Sequence, residues 1–324
     1  MSILQRLPSL QENILLANHT TFRIGGPAKY FYIAKNNNEI VRAVQAAKEE
    51  SIPFYILGGG SNLLVSDEGF GGLIIKIQNS KFKIEQVPRE REQSDNAKLK
   101  ITAEAGAPLI RIILESTKQG YSGLEWGFGI PGTIGGAIYG NAHRLGQAIE
   151  QIVEGVEILD SSFTVKILKN DECEFAYGES RFKKTGEIIL SATLLFKKQE
   201  QKIIDDVLER AKKVVRQHPP FPSAGCVFRN YEIQGDDDIL LNAHPELASW
   251  VRDGKIGVGY LIDQCGLKGK QIGQAKIPDE HANFIVNLGG ARAEDVVALV
   301  NLCKEKVKEK FGIELEEEIR YLGF

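Results

Sequence analysis

Apolar residues recur along this chain with two different periods, and the periods predict its elements. In residues 39–50, Ile40, Val41, Val44 and Ala47 fall on one helical stripe. The same spacing predicts helices over 109–119, over 203–217 through Ile204, Val207, Leu208, Ala211 and Val215, and over 293–311 through Val296, Val297, Val300, Val307 and Phe311. A further helix is expected near 140–151. Short apolar or alternating runs predict strands at 30–34, 54–57, 73–77 and 99–105, and an antiparallel sheet from 153–159, 163–168 and 188–196. The tail, 314–322, reads as another strand. Residues 1–18 form a short amphipathic leader, and residues 30–57 form a strand–helix–strand unit. Residues 65–72 read as a loop and 86–98 as an exposed hairpin or loop. The prolines of His218-Pro219-Pro220-Phe221-Pro222 stop the helix before them, because proline lacks the N–H and clashes with the preceding turn. No internal repeat is present.

Two glycine-rich segments interrupt this pattern: Ile56-Leu57-Gly58-Gly59-Gly60-Ser61-Asn62-Leu63-Leu64 and Gly129-Ile130-Pro131-Gly132-Thr133-Ile134-Gly135-Gly136-Ala137. Glycine lets backbone N–H groups come close to a ligand, and successive exposed N–H groups form an anion nest. Neither segment is a Walker loop or a G-x-G-x-x-G fingerprint. Either alone is readily a simple turn. Two together point to a phosphate-rich cofactor gripped from two sides.

Composition narrows the class. At 324 residues the chain calls for two or three domains. Hydrophobic content of 43%, charged content of 26% and a net charge of −3 fit a globular chain without a basic nucleic-acid footprint. No apolar run approaches the roughly 18 residues of a membrane span, and the N-terminal residues do not read as a secretion signal. Cys173, Cys226, Cys265 and Cys303 are widely spaced, which argues against a disulfide framework or a structural zinc site. The expected compartment is the cytoplasm, with no metal, no nucleic acid and no membrane as partner.

Three further segments carry candidate chemistry. Cys226, in Ser223-Ala224-Gly225-Cys226-Val227-Phe228-Arg229-Asn230, is either a buried core thiol or an acid or nucleophile in a cleft. His281-Ala282-Asn283-Phe284-Ile285-Val286-Asn287 reads first as a core strand with polar ends. Glu318 stands out from an acidic run because it alternates with apolar neighbours.

Taken in order, these segments resemble the UDP-N-acetylenolpyruvoylglucosamine reductase family. The matching pieces begin with Asn18-His19-Thr20-Thr21-Phe22-Arg23-Ile24-Gly25-Gly26-Pro27-Ala28, Leu57–Leu64, Gly123-Leu124-Glu125 and Gly129–Ala137. They continue with Pro222–Phe228, His281–Asn287 and Leu315-Glu316-Glu317-Glu318-Ile319-Arg320. They span nearly the whole chain, and their order makes the set specific. The shorter branch of the family, without a long tyrosine-bearing loop, is the nearer likeness.

The resemblance implies an α+β fold. An FAD-binding region of the vanillyl-alcohol-oxidase type, residues 1–198 in subdomains of about 1–77 and 78–198, would precede a substrate-binding domain, 199–324. The C-terminal strand would return to the active site. It implies tightly bound FAD cradled by Gly58, Gly59, Gly60, Ser61, Asn62, Leu63, Gly129, Ile130, Pro131, Gly132, Thr133, Gly135 and Gly136, with Arg320 near the flavin ring. NADPH would be the co-substrate and a UDP-sugar enolpyruvyl compound the substrate, contacted by Tyr177, Arg216 and Asn230, in a monomer. Cys226 would protonate the substrate's α-carbon, since a thiol is a far stronger acid than an alkyl hydroxyl. Glu318 would donate a hydrogen bond to the enolate.

Two departures stand out. The family usually reads Tyr-Arg-x-Ser where this chain has Tyr177-Gly178-Glu179-Ser180, so the arginine that stabilises the enolate is replaced by Gly178. Three explanations compete: Arg181 reaches in, Arg144 of the unusual His143-Arg144-Leu145 segment substitutes, or the chemistry is weakened or altered. Residues 231–255 are longer and more acidic than the usual connection and read as an inserted lid or surface loop. The implied reaction is NADPH-driven reduction of UDP-N-acetylglucosamine enolpyruvate to UDP-N-acetylmuramate in peptidoglycan precursor synthesis. Rival readings are a related FAD oxidoreductase with a different acceptor and a weakly active or non-catalytic flavin or nucleotide-sugar-binding homologue.

Overall fold

The computed structural model describes residues 2–87, 97–233, 235 and 238–324. Most of the hairpin or loop expected at 86–98 lies outside the described residues. The chain divides into two compact units. The first comprises Met1–Asn13, Lys29–Gly59 and Gly72–Arg216, and the second Ile14–Ala28, Gly60–Gly71 and Gln217–Phe324.

In the first unit, the helix Asn37–Glu49 begins where the Asn36 side chain accepts the Glu39 N–H at 3.0 Å. Its buried face is Ile40, Ala43, Val44, Ala46 and Ala47. It connects the strands Pro27–Ala34 and Phe54–Leu57, and Phe54–Leu57 runs parallel to Phe70–Ile77. The sheet order is Gln11–Leu15, Pro27–Ala34, Phe70–Ile77, Phe54–Leu57. A second sheet is antiparallel and runs Val165–Lys169, Val153–Leu159, Ile188–Lys198, Lys98–Glu104, Phe82–Val87, with Tyr121–Ser122 on the end of Ile188–Lys198. The helices Leu109–Lys118 and Gln201–Arg216 belong to this unit, whose core includes Leu99, Ile101, Ile112, Trp126, Ile138, Leu194 and Phe196.

The helix expected near 140–151 is not there. Residues 143–148 form a small hairpin, His143–Arg144 against Gln147–Ala148, followed by a 3-10 turn Ile149–Gln151. Asn141 and Leu145 take positive φ, 43° and 55°, which breaks a helix. The helical segment lies earlier, at Ile134–Tyr139, inside the second glycine-rich stretch.

The second unit is built on an antiparallel sheet ordered Ser223–Cys226, Phe284–Asn287, Ala275–Lys276, Gln271–Ile272. The helix Ala293–Phe311 buries Val296, Leu299, Val300, Cys303, Val307 and Phe311. The Asp67 carboxylate accepts the Ala293 and Glu294 N–H groups at 2.9 and 3.3 Å, an anion at the positive end of the helix. The tail strand is shorter than the expected 314–322. It covers Arg320–Leu322 and runs parallel to Leu63–Val65, with Arg320 opposite Leu63. The 231–255 insertion carries its own structure: the helix Asp238–Ala243, a 3-10 turn Pro245–Trp250, and the strands Tyr231–Glu232, Val251–Arg252 and Lys255–Ile256. Among the described residues, no helix is long and apolar enough to cross a membrane.

Candidate active site

In the first unit the two glycine-rich segments meet. A Cβ added at Gly59 would lie 2.7 Å from the Gly132 Cα, and one at Gly58 would lie 2.9 Å from the Thr133 Oγ1. Neither approach leaves room for a side chain. Gly135 is closed in the same way, with the Ala105 Cβ 2.8 Å away, and Gly129 by the Val215 side chain. Gly136 is different. It is exposed, and an added Cβ would meet only Thr133 Oγ1 at 3.6 Å. Thr133 caps the helix Ile134–Tyr139, its hydroxyl accepting the Gly136 N–H at 3.3 Å. The segments therefore approach each other through bare backbone and present an open face beside Gly136. That geometry fits a ligand held by peptide groups, as an FAD pyrophosphate would require.

Sequence reasoning missed Lys76. Its ammonium donates to the Gly58 carbonyl beneath the first loop, and burial lowers its pKa. Fixing that carbonyl fixes the peptide plane, so the Gly59 N–H must point the opposite way. The only signal was a lone lysine within the apolar run Leu73-Ile74-Ile75-Lys76-Ile77.

Near the same segments, Tyr177 meets the His143 ring at 4.3 Å between centroids. Arg144 Nη1 donates to the Phe128 carbonyl at 2.8 Å, one residue before Gly129. Arg216 ends the helix Gln201–Arg216 and is exposed. Arg181 is committed elsewhere. Its guanidinium forms a two-pronged pair with Glu187 at 2.9 and 3.2 Å and donates to the Glu172 carbonyl at 2.9 Å. Gly178 is buried, has φ 64° and follows Tyr177 at the centre of a tight turn, with Ala176 and Glu179 exchanging backbone hydrogen bonds at 3.1 and 2.9 Å. Positive φ at the third position of such a turn favours glycine. A second missed cation, Lys183, donates to the Gly178 carbonyl and pairs with Glu179 at 3.3 Å.

The second unit gathers the remaining predicted residues. Gly60 and Ser61 lead to Asn62, whose side-chain amide donates to the Glu318 carbonyl at 3.0 Å. The Arg320 N–H donates to the Asn62 carbonyl at 3.0 Å, and Leu63 pairs with Arg320. The Glu318 N–H donates to the Val227 carbonyl at 2.8 Å, which brings Glu318 beside the Cys226 strand. Cys226, Glu318 and Arg320 are all half-buried. A bulge between Ser223 and Cys226, with Gly225 at φ 83°, turns the strand just before the thiol. All four cysteines are free thiols.

The polar ends of 281–287 act as scaffold. Asn283 brackets the backbone of Phe228, accepting its N–H at 3.0 Å and donating to its carbonyl at 2.8 Å. Asn287 donates to the carbonyls of Phe22 and Arg23 and accepts from Gly289 and Ala291. These buried amides hold the Cys226 strand and the N-terminal motif segment in the second unit. Asn230 is exposed, and its Oδ1 accepts the Val258 N–H at 3.3 Å.

Two family models match separate stretches of the chain. Residues 28–167 match the FAD binding domain family. Residues 216–322 match the C-terminal domain of UDP-N-acetylenolpyruvoylglucosamine reductase. A protein named UDP-N-acetylenolpyruvoylglucosamine reductase from Anoxybacillus flavithermus (strain DSM 21510 / WK1) is 36% identical over 318 residues, 97% of this chain and 95% of its own length. Another of that name from Synechococcus sp. (strain JA-3-3Ab) is 37% identical over 317 residues, 97% and 91% of the two chains. The crystal structure of UDP-N-acetylenolpyruvylglucosamine reductase from Thermus caldophilus matches with a TM-score of 0.73 at 30% identity, covering 97% of this chain and 99% of that one. The predicted α+β class with an FAD-binding domain holds. This chain belongs to the UDP-N-acetylenolpyruvoylglucosamine reductase family.

Proposed function

We propose that this protein reduces UDP-N-acetylglucosamine enolpyruvate to UDP-N-acetylmuramate in peptidoglycan precursor synthesis, with FAD bound and NADPH as reductant. The observation that carries the reading is family membership over nearly the full chain together with the bare-backbone contact between the two glycine segments. Residues 1–198 would serve FAD and residues 199–324 the substrate. The cytoplasm is the proposed compartment, where NADPH and nucleotide sugars are available, and the working state is a monomer.

When bound, FAD would supply the hydride chemistry linking NADPH to the β-carbon of the enolpyruvyl ether. The chain's own residues handle the charge and the proton that follow. Gly58, Gly59, Gly60, Ser61, Asn62, Leu63, Gly129, Ile130, Pro131, Gly132, Thr133, Gly135, Gly136 and Arg320 are the residues proposed to hold the cofactor. Lys76 supports the first of these loops. Cys226 gives its thiol proton to the α-carbon. Protonated Glu318 donates a hydrogen bond to the enolate oxygen, a contribution of roughly 3–4 kcal/mol when the donor is preorganised. Its backbone is fixed at both ends, through its N–H to Val227 and its carbonyl to Asn62. Tyr177, Arg216 and Asn230 contact the UDP-sugar.

Arg144 is our assignment for the positive charge that Gly178 does not supply. Support comes from its anchor on the Phe128 carbonyl, from the contact of neighbouring His143 with Tyr177, and from the engagement of Arg181 by Glu187. A second reading, an FAD oxidoreductase with a different acceptor, is favoured by the loss of arginine at 178. One anaerobic experiment separates the two. The purified holoprotein is reduced with NADPH, the enolpyruvyl nucleotide is added, and flavin absorbance is followed. Rapid reoxidation with formation of UDP-N-acetylmuramate is expected. Flavin that stays reduced until another acceptor is supplied would overturn the assignment.

A further inference from the structure

The insertion at 231–255 presents an aromatic surface that the site above does not use. Its three strands are ordered Tyr231–Glu232, Lys255–Ile256, Val251–Arg252, with Tyr231, Ile256 and Val251 in one row. Both outer strands are antiparallel to the central one, so they run parallel to each other. Asn230 precedes the first and Trp250 the second. These two residues therefore lie at the same end of the small sheet, about 10 Å apart at two strand spacings. The helix Val258–Gln264 starts at that end too, and its Val258 N–H donates to Asn230.

Trp250 is stacked on Tyr260 of that helix, with ring centroids 4.1 Å apart and planes 20° apart. Yet it remains 49% exposed. With one face of the indole covered by Tyr260, that exposure leaves the opposite face as the one available to a ligand. Arg252 curls back to donate to the carbonyls of Ser249 and Val251, both at 2.8 Å, and so braces the turn that carries the ring. A braced, half-open indole suits a second flat ring, because the π-face of any nucleobase can stack on it.

We propose that the open face of Trp250 stacks on the uracil ring of the UDP-sugar substrate, which makes this insertion a nucleotide-recognition element. The inference rests on the function proposed above and adds a residue for the base. Its second support is Asn230 at the same sheet end, the residue assigned to the UDP-sugar. Trp250 and Tyr260 form the platform, and Asn230 reaches the rest of the nucleotide.

The chain has one other tryptophan, Trp126, which is fully buried. Indole emission therefore separates the two. Holoprotein is titrated with UDP alone and emission is recorded for wild type, Trp250→Phe and Trp250→Ala. Saturable quenching is expected in wild type and little response in either variant. In steady-state assays, KM for the enolpyruvyl nucleotide should rise about tenfold or more in Trp250→Ala, with kcat within about twofold. Trp250→Phe, which keeps a flat ring, should recover most of that loss. Equal KM in wild type and Trp250→Ala, or equal UDP quenching in wild type and Trp250→Phe, overturns the proposal. So does a Trp250→Ala variant that changes oligomeric state but not KM, since the face would then serve a second copy. If wild type does not turn over the enolpyruvyl nucleotide but UDP quenches Trp250, the functional reading fails and this inference stands. If turnover is normal and KM is insensitive to Trp250, the reverse holds.

Discussion

Adding one methyl group at Gly136 should make the protein more stable and its cofactor weaker. In the folded chain the new Cβ would meet only the Thr133 Oγ1, at 3.6 Å, an ordinary contact. Gly136 lies within the helix Ile134–Tyr139, where alanine is favoured over glycine by roughly 0.5–1 kcal/mol. For a chain of this size that corresponds to about 1–2 °C in the melting temperature of the apoprotein. The cap survives, because the Gly136 N–H that donates to Thr133 is untouched. If the open face beside Gly136 is where FAD sits, the same methyl intrudes on a closely packed ligand. Overpacking costs about 1–3 kcal/mol, so FAD affinity should fall by roughly 5- to 150-fold. Gly59→Ala is the contrast. Its Cβ would sit 2.7 Å from the Gly132 Cα, a backbone atom that cannot swing away, so both apoprotein stability and FAD binding should suffer. The assay is thermal melting of apoprotein and holoprotein, with FAD affinity from quenching of flavin fluorescence on titration. A Gly136→Ala protein that melts higher and binds FAD as tightly as wild type would refute the placement of the cofactor there.

Cys226→Ala should lower the rate of flavin reoxidation by the enolpyruvyl nucleotide at least about 100-fold, far more than flavin reduction by NADPH. Cys226→Ser should retain part of the activity, and stopped-flow absorbance of the two half-reactions decides between a proton donor and a core thiol. Glu318→Gln, read in the same way, should slow reoxidation by about 100- to 1,000-fold, and an unchanged rate removes Glu318 from the mechanism. Arg144→Gln should slow the same half-reaction with partial recovery in Arg144→Lys, whereas wild-type kinetics in both would leave the enolate charge unassigned. His281 has its pKa lowered below the usual 6.5, first by burial. Between its folded pKa and 6.5 the unfolded chain binds the extra proton, so stability falls as pH drops through that window, and the loss is complete below the folded value. Denaturant unfolding at a series of pH values should show a shallower acid-side decline in His281→Gln than in wild type.

The elements most legible in sequence were those with one buried face and clear ends. The strand Phe54–Leu57 and the helix Ala293–Phe311 match the expected limits, and Asn36 gives the helix Asn37–Glu49 its start. The error at 140–151 has a physical origin. The glycines of the second segment argue against a helix by propensity, but Gly135 must lie against Ala105 and the Gly135 N–H donates to the Ala105 carbonyl at 2.8 Å. Tertiary contact with a residue 30 positions away overrode the local preference. Lys76 and Lys183 stayed hidden because each matters through one backbone carbonyl, Gly58 or Gly178, that folding brings within reach. The tail was legible as a place but not as an extent. Ile313, Leu315 and Ile319 are buried, Glu317 makes an isolated antiparallel bridge to Phe228, and Arg320–Leu322 pairs as a strand.

Gly178 shows why a missing motif residue is not simply a deleted side chain. At φ 64° it closes the turn between Ala176 and Glu179. An arginine restored there would have to adopt a left-handed conformation, at a cost of roughly 1–2 kcal/mol, or open the turn. Activity in such a variant would therefore mix the value of the charge with the cost of the backbone. The turn also faces the hairpin that carries Arg144. Asn141 donates to the Ala176 carbonyl at 2.7 Å, and His143 lies against Tyr177. Arg144 extends from that same hairpin, with its guanidinium fixed at the entry to the second glycine segment. These two segments are in contact, so a long side chain on one can reach space beside the other. The proposed relocation can thus be tested at Arg144, where the side chain can be changed without asking the backbone of residue 178 to do what only glycine does easily.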